Sequence, residues 1–82
     1  MKTSLSLRSE WESYRRQVIP ADAPMIQLVE MRRAFYAGSA AAFGILCQIS
    51  RGDLSEAEEG ARLDSLGCEL EAFGQALKDG KA

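Results

Sequence analysis

The stretch PMIQLVEMRRAFYAGSAAAFGILCQIS, residues 24–50, decides the fold. Within it Leu28, Met31, Phe35, Gly38, Ala42, Ile45 and Ile49 recur at alternating steps of three and four. That is the seam of a helix packed on other helices, and no strand keeps such a period. The stretch opens behind Asp22-Ala23-Pro24, where a proline suits a first turn and an acid favours the positive end. It closes at Ser50-Arg51-Gly52-Asp53, a turn.

Working outward, residues 6–19 place Leu7, Trp11, Tyr14 and Val18 on one narrow stripe, and Pro20 stops that helix. On the other side, Ser55 and Glu58 have the spacing of a capping box. The helix they start carries Leu63, Leu66, Leu70, Phe73 and Leu77. The expectation is an all-α chain of three helices, near 6–19, 24–50 and 55–79, in one domain spanning 1–82. Residues 1–5 and 80–82 are expected to be disordered, with fraying from Lys78.

Of the 82 residues, 46% are hydrophobic, more apolar surface than three thin helices can hide. A domain of this size is marginal alone, and oligomerisation is a usual remedy. The sequence therefore predicts a helical-bundle homo-oligomer. Trp11, Leu28, Phe35, Gly38 and Ala42 are its candidate packing residues. Gly60, Gly67 and Gly74 join them, one every seven residues on a single face. Each glycine costs about 0.8–1 kcal/mol against alanine inside a helix. Two reasons could offset that cost: a close helix crossing, or access of a ligand to the backbone.

There is no histidine and the only cysteines are Cys47 and Cys68, which excludes a Cys/His zinc site and histidine acid–base chemistry. Both cysteines read as small buried hydrophobes of a reducing compartment. Glu56, Glu58 and Glu59 cap and solvate a helix start, and no phosphate-loop pattern occurs. The chain reads as a binding protein, not an enzyme, with no cofactor and no metal. The start Met1-Lys2-Thr3-Ser4-Leu5 does not read as a signal peptide, and Ala34–Ile49 is too short for a membrane span. Net charge is −2, with eight acids in residues 53–82 against Arg62, Lys78 and Lys81. No broad basic field suits duplex nucleic acid.

Binding candidates come from the helical wheel. At about 100° per residue from Phe35, Ser39 falls near 40°, Arg32 near 60° and Tyr36 near 100°. Arg32 thus lies in an arc shared with Leu28, Phe43 and Leu46, and a buried guanidinium needs a partner. The first possibility is an acid of the third helix or a neighbouring chain, or a stem that snorkels at the edge of the arc; the second is the anion of a ligand. In the second case Arg32, Arg33, Tyr36 and Ser39 form the site, with phosphate on arginine and a base on tyrosine.

The segment Trp11-x2-Tyr14-Arg15-Arg16-x-Val18-x-Pro20, followed by Gln27-x2-Glu30-x-Arg32-Arg33-Ala34-Phe35-Tyr36-Ala37-Gly38, resembles small proteins carried by tailed phages and prophages. Leu54-Ser55-Glu56-Ala57-Glu58 with Gly67-x-Glu69-Leu70 is similar to the first helix of phage anti-CBASS sponges, and Met31–Ile49 to their second. Here that order is reversed and a Trp-bearing helix precedes both, so none of the sponges' binding residues is carried over. The resemblance implies a phage anti-defence protein in the cytoplasm of the infected host. It would be a homo-oligomer that sequesters a cyclic nucleotide signal without cleaving it. The residues leave a second function open: an apolar helix face around Trp11 and Tyr14 that inhibits a host protein.

Overall fold

The computed structural model describes residues 5–82 and is all-helical, with no strand among them. Helix α1 spans Leu7–Val18, α2 Met25–Ile49 and α3 Glu56–Lys78. The ends fall within a residue of those read from the sequence, because local punctuation sets them. Ser6 caps α1, its hydroxyl accepting from the Ser9 N–H at 3.1 Å. At the other end the Ile19 N–H reaches back to the Arg15 carbonyl before Pro20 stops the helix. The Pro24 carbonyl accepts from Leu28 N–H and so takes the first bond of α2. Gly52, at φ 93°, makes the turn into α3 in a conformation that a side chain would oppose.

The capping box of α3 is complete. Ser55 Oγ accepts from the Glu58 N–H, and the Glu58 carboxylate accepts from the Ser55 N–H at 2.9 Å. These bonds, that to the backbone amide first, hold the Glu58 carboxyl below its usual range, and the nearby Arg62 charge adds to them. The far end differs from the expected fraying. Gly80, at φ 72°, donates to the Leu77 carbonyl and Lys81 to that of Ala76, closing a Schellman motif. Of the segment 1–5 expected to be disordered, residues 1–4 lie outside the described residues, and Leu5 is fully exposed.

The chain forms two compact units, one up to Phe43 and one from Gly44 to Ala82, with the boundary inside α2. In the first, Trp11 and Ile19 are buried. The Trp11 ring meets Phe35 at 5.5 Å between centroids, and Tyr14 meets Phe35 at 5.9 Å. Such tilted aromatic pairs add about 0.5–1.5 kcal/mol beyond the area they bury. Leu28, Phe35 and Ala42 are half-buried, and Gly38 is exposed. In the second unit Ile49 alone is buried, while Leu70, Phe73 and Leu77 of α3 each stand more than half exposed.

One expectation is corrected here, and a second is narrowed to contacts between chains. Cys47 and Cys68 are free and exposed, because no described residue covers the faces of α2 and α3 that carry them. At Gly38, Gly60, Gly67 and Gly74 an added Cβ would meet nothing within 4 Å, so no close helix crossing forms at these glycines within the chain.

Candidate functional site

Helix α1 lays one stripe beside the start of α2. Arg8, Trp11, Glu12 and Arg15 follow the steps i, i+3, i+4 and i+7, which share a helix face. With Met25, Leu28, Val29, Arg32 and Arg33 they line a cleft of about 570 Å³. Its floor is apolar, and four guanidiniums stand around it.

Their pairing is uneven. Arg15 bonds Glu12 at 3.3 Å and Arg33 bonds Glu30 at 3.4 Å, both one turn apart on exposed faces. Exposed pairs of this kind contribute about 0–1 kcal/mol, so a phosphate could recruit either arginine. Arg8 and Arg32 have no carboxylate partner among the described residues. The cleft therefore carries a positive excess.

Arg32 departs from the buried position that the helical wheel suggested. It is exposed, with its guanidinium carbon 5.4 Å from the centre of the Tyr36 ring. The arc around it is covered only where Trp11 and Tyr14 meet Phe35, so the arginine stem packs while the head stays in water. Tyr36 is half-buried, with the edge of Phe35 against it at 5.8 Å. The tyrosine thus supports the guanidinium, and the open planar surface for a base is that of Arg32 itself. A shallow depression of about 220 Å³ is lined by Arg32, Arg33 and Tyr36. Ser39 does not offer its hydroxyl proton to this site: its Oγ donates to the Phe35 carbonyl at 2.9 Å, one turn back along α2.

Three of the four candidate binding residues are thus brought together. Arg32 and Arg33 also line the larger cleft, together with Arg8 and Arg15, which are not among the candidates; Tyr36 does not line it. The signal for Arg8 and Arg15 in the sequence is their i, i+7 spacing around Trp11.

Within residues 44–82 a second cleft, of about 410 Å³, lies between the end of α2 and α3. Ile49 and Leu66 form its floor, with Arg51, Arg62, Asp53 and Glu69 around it. Among the described residues no group of three or more cysteines and carboxylates is gathered as a metal site would require. No helix among them is long and apolar enough to cross a membrane.

The fold and this site define an all-α chain with an arginine-lined, apolar-floored cleft. No family model, curated protein or solved structure matches the chain.

Proposed function

We propose that the protein binds an anionic nucleotide at the cleft between α1 and the start of α2, and sequesters it without cleaving it. The observation that carries this reading is the surplus of guanidinium there: four arginines surround an apolar floor, and two lack a carboxylate partner among the described residues. Arginine forks suit phosphate, and the Arg32 plane supported by Tyr36 suits a base. A homo-oligomer is part of the proposal, supported by the bare apolar residues of α3. So is a role as a cytoplasmic phage anti-defence sponge, which rests on the resemblance of the quoted segments. Cyclic nucleotides are then the first ligands to try.

A second reading is an apolar helix face that engages and inhibits a host protein; Trp11 is buried, so the face expected around Trp11 and Tyr14 is not open, and the bare residues of α3 are the ones that support this reading.

Calorimetry with a panel of cyclic di- and trinucleotides separates the two, with quenching of Trp11, the chain's one tryptophan, as a local readout. Arg32→Ala and Arg8→Ala should each weaken binding by about 1.5–3 kcal/mol, the scale of a charged hydrogen bond. Both should leave melting unchanged, since neither arginine is buried. No heat and no quenching with any nucleotide removes the sequestration reading and leaves the protein partner.

A further inference from the structure

The charge patterns of the two clefts differ, and the difference points to a second ligand. In the first, acids are already satisfied within the chain and cations are left over. In the second, Arg51 and Arg62 face Asp53 and Glu69, two of each sign, and none of the four closes an ion pair among the described residues. Glu58, one turn before Arg62, is already held by its capping bonds to Ser55. An anion entering this cleft would meet Asp53 and Glu69 as well as the arginines, so it does not suit a phosphate.

A balanced set of open charges around an apolar floor is self-complementary. Arg62 and Glu69 stand two turns apart on one face of α3, too far for the i,i+3 or i,i+4 contact that pairs charges along a helix. A second α3 running antiparallel, with its two-fold axis near Ser65 and Leu66, sets Arg62 opposite the other copy's Glu69, and does so twice. Such reciprocity is what an isologous contact requires. The exposed Leu70 and Phe73 flank the same face and would be covered by it.

We infer that two copies of the chain meet face to face through this cleft, with Arg62 and Glu69 as reciprocal charge pairs over Leu66, Leu70 and Phe73. The inference rests on the homo-oligomer in the proposed function and says where its contact lies.

Charge reversal tests it in full-length protein followed by analytical sedimentation. Arg62→Glu alone and Glu69→Arg alone should each weaken self-association about tenfold or more, because each places like charges opposite one another twice. The two single variants mixed in equal amounts should associate again, since the mixed pair restores both contacts. R62E/E69R on one chain should do the same. Raising salt should weaken the wild-type association, as it does for rim charges. Circular dichroism of each variant keeps lost folding apart from lost contact, and the restored mixture does so independently. Single variants that associate like the wild type, or a mixture no better than either alone, would overturn this placement while leaving the oligomer standing. A wild type that sediments as a monomer throughout the micromolar range would remove the oligomer itself.

Discussion

Residues 5–43 and residues 44–82 use the same kind of helix to different ends. The first unit gathers aromatic residues around Trp11, which is 4% exposed and linked by four ring contacts with Tyr14, Phe35 and Tyr36, while Phe43 stays exposed. What remains on its surface is mixed: four arginines stand around the cleft, while Val18, Met25, Ile26 and Phe43 are more than half exposed. The second unit buries little, and its α3 keeps Phe73 59% exposed. On its surface the exposed Leu63, Leu70 and Leu77 stand among the acids of α3. A chain this short cannot bury both halves of its hydrophobic pattern. It buries Trp11 and Ile19 in the first unit and only Ile49 in the second.

The sharpest way to break this contrast is at Trp11. Trp11→Ala should destabilise the protein by about 3–5 kcal/mol, the usual loss for a large buried aromatic. In a domain of marginal stability that is most of the total. Urea unfolding followed by circular dichroism measures it. A loss under about 1 kcal/mol would mean that the aromatic cluster is not the core of the first unit.

At Phe73 the expectation inverts. Phe73→Asp should leave helix content intact at low concentration, since the ring is exposed in the single chain. It should remove self-association worth on the order of 2 kcal/mol, the scale of burying such a side chain. Sedimentation across a dilution series reads both. A variant that unfolds at every concentration would show that Phe73 belongs to a core within the chain.

The ends of the three helices were legible in the sequence because they depend on neighbours along the chain. Pro20, Pro24, Gly52 and the Ser55–Glu58 box act over three or four residues, and each stands where its spacing implied. The cap at Gly80 obeys the same rule, with a glycine just past the last turn, and it was readable from that position. The environment of Arg32 was not legible. A wheel gives an angle about one helix axis and cannot say how far the helix opposite extends. Its arc is apolar, but α1 covers it only from Trp11 to Tyr14, and Arg32 stands at the edge. Arg8 and Arg15 were missed for a related cause: two arginines separated by Trp11 become one site only when α1 lies along α2.

The glycines sharpen the comparison further. Gly67 lies on α3, off the face proposed for the contact between copies, with open space where a Cβ would stand. Gly67→Ala should therefore raise stability by about 0.8–1 kcal/mol through helix propensity alone. A rise in melting temperature checks it. A fall would put a second helix backbone against this glycine stripe, and the copies would then meet on a different face from that of Arg62 and Glu69.

The smallest effect expected is at the start of α3, and its sign follows from Glu58. In the folded chain its carboxylate accepts from the Ser55 N–H, so the charged form is favoured and its pKa lies below the ordinary value. A group depressed in the folded state stabilises above its unfolded pKa and loses that contribution as pH falls through the folded one. The loss should begin below about pH 4.5, the ordinary value for this carboxyl, and be complete once Glu58 is protonated in both states. Glu58→Gln keeps an acceptor for the Ser55 amide but has no proton to take up. Its melting temperature should therefore fall less steeply between pH 5 and pH 3 than that of the wild type. The other acids of α3 titrate in the same range, which is why the comparison of slopes is the measurement and not the slope itself. Because the site is exposed, the difference should be slight. Equal slopes would mean that the capping carboxylate contributes nothing to the stability of α3.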